Sequence, residues 1–299
     1  MIRRWGRYVG VAYRPSVQIP YMVSWAVGLT ALFACVTSAV SRWRPNAELL
    51  VTVLTMVVFM LLMRALDDIR DYDYDRRVNP GRPLPSGLVR ERDLVTLVAI
   101  GCALLLLLNA GRGVALVMLA VQLGYTAAVI LLDRLAGWPH PDRLGLQLAV
   151  NLPIQTLLSL YVYAGFLRAE HLGPSVAGLV AVVSVTVGAL CLELGRKATR
   201  RPRSGERTYV TVLGPSGTSL AALAAAVAAA TIVLVALAPW QPGSRWGWLV
   251  LAPLAIPALA VARFAAGATR WPVRLVLAYT PAVYASFLAV AWLTKGSLG

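Results

Sequence analysis

The chain has 299 residues, of which 59% are hydrophobic and only 14% charged, with a mean hydropathy of +0.70. A soluble domain carries about 25% charged residues, so this composition excludes an ordinary soluble globule and points to one polytopic membrane domain over residues 1–299. The net charge of +15 raises the question of nucleic acid as a partner, but the basic residues cluster in loops between apolar segments. That is the distribution of a protein facing anionic lipid, and it argues against nucleic acid.

Apolar runs of about 20 residues, broken by charged or Pro/Gly-rich stretches, read as membrane-spanning helices. Nine are expected, at 17–40, 47–67, 93–110, 114–132, 144–166, 174–195, 217–238, 246–264 and 272–294. The first follows Arg3 and Arg4, but it is too long for a signal-peptide core and shows no small-residue cleavage site, so it reads as a span. The Ala221–Ala230 run is only mildly hydrophobic and makes 217–238 the weakest expected span, but it favours helix and its small residues suit close packing. The expected fold is therefore an all-α integral membrane bundle of about nine helices. Cys35, Cys102 and Cys191 lie inside apolar runs without CxxC spacing, and His140 and His171 are single loop residues, so no disulfide or zinc framework is expected.

With nine spans, 22 of the 28 Lys and Arg residues fall on the side of the N-terminus, and only Arg42, Arg44, Arg112, Arg168, Arg245 and Lys295 fall on the other. The positive-inside rule then places the N-terminus in the cytoplasm of a cell inner or plasma membrane. All carboxylates but Glu48 and Glu170 lie on or near the same side, so the chemistry is expected at the cytoplasmic end of the bundle.

The second span ends in DDIRDYDYD, Asp67 to Asp75, which holds five of the chain's thirteen carboxylates. Charge at a membrane boundary is costly and marks a functional site by default. On a helix, Asp68, Asp71 and Asp75, or Asp67, Asp71 and Asp75, share one face. Carboxylates so placed repel one another unless a cation sits between them, and Mg²⁺ is held by one or two carboxylates plus substrate phosphates. The segment continues as RRVNPGRPLPSGLV. Its prolines and glycines forbid a long helix, and Arg76, Arg77 and Arg82 supply guanidinium groups for a diphosphate or for the carboxylates themselves.

Residues Asp67–Gly87 resemble the first signature of the UbiA superfamily of intramembrane prenyltransferases, N-D-x-x-D-x-x-x-D followed by a loop ending R-P-x-x-S-G. Asp67 stands at the Asn of that signature, Asp68, Asp71 and Asp75 stand at its aspartates, and Arg82 to Gly87 match the loop end. The second signature normally carries two aspartates in D-x-x-x-D spacing between spans 6 and 7. The matching stretch here reads ELGRKATRRPRSGERTYVTVLG, with Glu193 at the first acidic position and Lys197 at the second. Gly205, Thr208, Tyr209, Leu213 and Gly214 resemble its tail. Each lost carboxylate weakens a second metal site, whereas each gained cation neutralises phosphate directly. The expectation is one firm metal site at Asp68, Asp71 and Asp75, with Asp67 beside it, a looser contribution from Glu193, and a cationic clamp that includes Arg196 and Lys197. The basic residues Arg200, Arg201, Arg203 and Arg207 read either as part of that clamp or as a positive-inside loop. Between spans 4 and 5 the family often has a Tyr and then Lys-Arg. Tyr125 and Arg134 fit, while Asp133 stands at the lysine.

What the resemblance implies is Mg²⁺-dependent transfer of a prenyl group from an allylic isoprenyl diphosphate to an aromatic or hydroxyl small-molecule acceptor in the membrane. Asp68, Asp71 and Asp75 would be catalytic, and Arg76, Arg82, Arg134, Arg196, Lys197 and Tyr125 would bind diphosphate. Tyr21, Trp25, Tyr161, Tyr163, Tyr279 and Tyr284 are candidates to face a carbocation or to serve as packing and interface anchors. A terpene cyclase working from the same diphosphate trigger, without an acceptor, is the alternative. A transporter is a remote one, since no comparable charges occur at span centres and no inverted repeat is evident.

Overall fold

A computed structural model describes residues 1–140, 143–202 and 206–296, with the side chain of Val273 left aside. Its helices are α1 (Ile2–Tyr8), α2 (Pro15–Val36), α3 (Ala47–Arg70), α4 (Tyr72–Val78), α5 (Glu91–Leu108), α6 (Val114–Ala136), α7 (Leu144–Ala169), α8 (Val176–Arg196), α9 (Val210–Leu237), α10 (Ala255–Ala265) and α11 (Val273–Lys295). A π-turn at Val9–Tyr13 follows α1, and a 3₁₀ stretch at Arg245–Leu254 leads into α10. The described residues form no strands beyond an isolated bridge between Thr199 and Arg270.

Local sequence sets the helix ends. Asn46 accepts a hydrogen bond from the Leu49 N–H and caps α3, with Glu48 in the first turn favoured by the helix dipole. Ser175 caps α8 in the same way. Gly137, at φ 59°, closes α6 in the left-handed conformation that glycine adopts without strain. Gly214 (φ 68°, ψ 168°) before Pro215 breaks α9 near its start, which is why the apolar pattern gives a span beginning at 217 rather than at 210.

Eight helices among the described residues are long and apolar enough to cross a membrane, the 3₁₀ stretch and α10 together making one of them. The ninth expected span is α5. Its 18 residues begin with Glu91, Arg92 and Asp93, so length and apolarity alone do not place it with the other eight. It nonetheless runs the depth of the bundle beside α3. Asp93 pairs with Arg4 at one end, and Asn109, just past the other end, donates to Thr55 at 2.9 Å.

Polar contacts fix which loops share an end. The Arg207 guanidinium lies 4.7 Å from the Tyr74 ring centroid, and the Arg200 N–H donates to the Thr269 carbonyl. The segments after α3, α8 and α10 therefore meet at one end. At the other end Glu48 joins Arg112 and Arg168, and Lys295 donates to the Val40 carbonyl. This is the alternation that the charge pattern predicts for those loops.

The largest core packs α2 with α3, α7, α8 and α11 around Trp25, Phe33, Met56, Phe59, Tyr161 and Phe287. A second, at the end that carries the aspartates, gathers Cys191, Leu194, Tyr209, Phe264, Trp271 and Tyr279. A third packs Tyr8 of α1 and Leu84 and Val89 of the proline loop against Ala65 and Ile69 of α3. The aspartate-bearing end of α3 is thus anchored from two sides.

Candidate active site

Helix α3 stops at Asp71 (φ −87°, ψ 11°), whose N–H still bonds the Asp67 carbonyl, and α4 restarts at Tyr72. Asp67 and Asp68 are consecutive on the unbroken part of α3 and so project to different sides of it, while Asp75 follows the break. Asp67 lines a cleft among α3, α6, α7 and α8. Asp68 points away from it and is buried, accepting from Tyr8 Oη at 2.9 Å and from Arg64 Nη2 at 2.6 Å. Asp75 is also buried and accepts from Asn79 Nδ2 at 3.1 Å and Arg82 Nη1 at 2.6 Å. The same Arg82 nitrogen lies 3.6 Å from Asp68 Oδ1, so one guanidinium links the first and last family-matched aspartates. The proline loop puts it there by turning back over α4, pinned by Leu84 and Val89.

Asp71 is half-buried. Burial pushes its carboxyl above the ordinary range and Asp75 adds to the push, against the pull of Arg70, Arg207 and Arg82. Among the described residues neither Asp67 nor Asp71 is held in an ion pair. Asp73, exposed on α4, has none either, so Asp67 and Asp71 are the two unpaired carboxylates among the positions that match the family signature.

Across the cleft stands Glu193. Arg196 and Lys197 both pair with it, the latter at 2.6 Å, and Tyr209 Oη donates to it at 3.3 Å. The Lys197 ammonium also sits 5.1 Å from the Tyr209 ring centroid. Glu193 is therefore neutralised by two neighbours of its own signature. Asp67, Arg70, Glu193 and Arg196 form the charged wall of the cleft, which is open to solvent and also carries Thr126, Asn151 and Gln155.

Behind it lies a second, much tighter cavity, which shares Gln155 and Ala189 with the cleft. Its walls are apolar and aromatic, with Tyr21, Tyr279, Tyr284 and Phe287 facing Val185, Ala229, Ala230 and Val233. Trp25 backs it, stacked on Tyr284 at 6.2 Å. Tyr161 and Tyr163 lie elsewhere. Tyr161 bonds Arg112 and Asn109, and Tyr163 bonds Ser175. Those two are packing residues.

The cleft thus gathers Asp67, Glu193 and Arg196 from the expected set, with Lys197 directly behind Glu193. Four expected diphosphate ligands are not brought there, and the first, Arg82, is held by Asp75 and Asp68 instead. Arg76 is exposed on α4. Arg134 pairs with Glu91 at 2.6 Å on an outer groove between α3, α5 and α6. Tyr125 donates to the Val150 carbonyl and joins α6 to α7. Asp133, at the position of the usual lysine, pairs with Arg70 of the cleft wall. Arg203 and Gly205 lie outside the described residues. Sequence reasoning missed Arg70, Asn151, Gln155, Arg64 and Tyr8. Asn151 and Gln155 carried a readable signal, since they are polar residues one helical turn apart, on either side of Pro153, in an otherwise apolar span.

No group of three or more His, Cys, Asp or Glu residues among those described converges into a metal cage. Mg²⁺ does not need one, because it is commonly held by one or two carboxylates plus substrate phosphates and water. Asp67 and Asp71 are hard oxygen donors without an arginine partner, one on the cleft wall and the other a helical turn further on. They fit such a site. Asp75 reaches it only by releasing Arg82, and Asp68 only by releasing Arg64 and Tyr8.

The model of the UbiA prenyltransferase family matches residues 26–274, which include both signatures. Among solved structures, the apo structure of a UbiA homolog from Aeropyrum pernix K1 is similar, with a TM-score of 0.62 at 19% identity, over 90% of this chain and 96% of that one. At that identity the likeness carries the fold alone. No curated protein matches the chain.

Proposed function

The chain belongs to the UbiA prenyltransferase family, and on that premise we propose that it moves a prenyl group from an allylic isoprenyl diphosphate to an aromatic or hydroxyl acceptor. Family membership supports intramembrane prenyl-transfer or related chemistry, and the eight apolar helices support a multi-pass integral membrane protein. The observation that carries the finer reading is the wall at Gln155 and Ala189, which a cleft with charged residues shares with an aromatic-lined apolar cavity. A diphosphate head and an isoprenoid tail ask for those two environments side by side.

In this reading Asp67 and Asp71 hold Mg²⁺, and Asp68 and Asp75 set the position of Arg82 beside them. Mg²⁺ bound there would neutralise the charge that grows on the departing diphosphate. Arg70 and Arg196 line the same wall and supply fixed positive charge to the phosphate oxygens. Lys197 offsets the charge of Glu193 by pairing with it, which weakens the repulsion between this carboxylate and the diphosphate. Tyr21, Tyr279 and Tyr284 place aromatic rings around the tail, where an allylic cation is favoured by ring faces and protected from water by the apolar walls. The amphiphilic substrates draw on membrane lipid as their solvent, and the aspartate end faces the cytoplasm.

The test is incubation of the purified protein with farnesyl and geranylgeranyl diphosphates and Mg²⁺, with and without a panel of phenolic and quinone-precursor acceptors. Prenylated acceptor formed only with Mg²⁺ supports transfer. A cyclic hydrocarbon or alcohol formed without acceptor overturns it in favour of a cyclase.

A further inference from the structure

At the end of the bundle opposite the aspartates, Glu48, Arg112 and Arg168 form a cluster that the reaction does not use. Glu48 lies at the start of α3 and Asp68 twenty residues on, so about 30 Å separates the two ends. Arg112 is 95% buried, and its donors are taken. Nε goes to Glu48, Nη1 to Asn109 and Tyr161, and Nη2 to Thr52 and the Glu48 carbonyl. Arg168 is different. Its Nε donates to Glu48 and its Nη1 to the Gly111 carbonyl, which leaves Nη2 and one Nη1 hydrogen unspent, and its side chain is 46% exposed. Two guanidinium groups share one carboxylate, so the cluster carries a net positive charge.

Below Arg168 a groove of about 1110 Å³ runs between α6, α7 and α8, with Arg112, Arg168 and His171 at its rim and no carboxylate in its lining. Its walls are Val114, Met118, Leu160, Leu167 and Leu179, and Val114 and Leu179 are exposed on the outer face of the bundle. A cationic rim above an apolar trough is complementary to an amphiphile with an anionic head. We infer that this groove binds an anionic phospholipid, with its phosphate on Arg168 and His171 and an acyl chain along Leu160 and Leu167. The site is independent of the transferase reading and lies in the other leaflet from the aspartates. It also accounts for two cations on the side where the positive-inside pattern leaves few.

Native mass spectrometry of the full chain, exchanged from detergent containing equal phosphatidylglycerol and phosphatidylcholine, reads the occupant directly. One retained phosphatidylglycerol per chain, in excess over phosphatidylcholine, is expected. Arg168→Gln should lower that retention by about fivefold, the worth of one interfacial cation. Leu160→Trp, which fills the groove and leaves the cations in place, should lower retention of both lipids and covers the case in which Arg168→Gln fails to fold. Equal retention of the two lipids, or wild-type retention in both variants, would overturn the site. Displacement of the lipid by millimolar inorganic phosphate would equally refute it, by showing a soluble-anion site instead.

Discussion

Asp71 and Asp75 differ in what their loss should do, although both match the family's aspartates. Asp71 has no ion-pair partner and its carboxyl is held up by burial, so Asp71→Ala removes a donor without stranding a charge. We expect Mg²⁺-dependent turnover to fall below detection while the melting temperature stays within a few degrees of wild type, measured on the same preparation. Asp75→Ala leaves Arg82 and Asn79 without their acceptor. Because Arg82 keeps about a third of its surface in solvent, water replaces part of the bond, and the expected cost is about 1–2 kcal/mol of stability on top of the lost activity. Similar melting temperatures for the two variants would show that the Arg82 bridge contributes little. Lys197 gives a gain-of-function test. Lys197→Asp removes the cation 2.6 Å from Glu193 and sets a second carboxylate one helical turn from the first. Mn²⁺ titration followed by electron paramagnetic resonance should then show tighter or additional binding. Binding identical to wild type would mean that this residue faces away from any ion.

Among the elements, α1 is the one whose role the sequence concealed. It reads as a short basic segment ahead of the first span, yet Tyr8 is fully buried and donates to Asp68, Arg4 pairs with Asp93, and Trp5 Nε1 donates to the Asp93 carbonyl. The segment clamps α3 to α5 directly under the aspartates. No periodicity could reveal this, because seven residues make only two turns and the contact lies 60 residues away. Tyr8→Phe keeps the ring and removes one buried bond to a carboxylate. The expected loss is about 1–3 kcal/mol, read as a lowered melting temperature, with unchanged stability as the contrary result. The close approach of α2 and α11 was equally unreadable. A methyl group on Gly28 would come within 2.7 Å of the Tyr284 carbonyl oxygen, and backbone there cannot step aside as a side chain can. Gly28→Ala should cost about 1–3 kcal/mol and should disturb the wall of the aromatic cavity that Tyr284 provides. The spans themselves were legible, because twenty apolar residues between charged loops leave little choice. The aspartate run was legible as a site but not as a geometry, since the break at Asp71 depends on where the proline loop has to go. Arg134 and Tyr125 were placed by resemblance of position, and their actual partners, Glu91 and the Val150 carbonyl, are set by packing that a linear motif does not encode.

For the molecule as a whole, charge and topology bear on the same question of orientation. The structure groups the loops after α3, α8 and α10 at one end through Arg207 with Tyr74 and Arg200 with Thr269, and it groups Glu48, Arg112 and Arg168 at the other. The sequence assigns 22 of 28 basic residues to the first end. Anionic cytoplasmic lipid and the membrane potential both favour retaining cations on the inside, at about 1 kcal/mol per residue near the surface. A bias of this size leaves little population inverted, so the aspartate end should face the cytoplasm in every copy. Single cysteines at Arg77 and at Arg245, in a background with Cys35, Cys102 and Cys191 replaced, test this. A membrane-impermeant maleimide should label the Arg77→Cys protein only in inside-out vesicles and the Arg245→Cys protein only in right-side-out ones. The reverse pattern would place the cleft on the outer face, where a cytoplasmic diphosphate has no access. Labelling of both positions from one side would mean that an odd number of crossings does not lie between them, and since α5 is one of those crossings, that result would mark it as a helix that packs in the bundle without traversing the membrane.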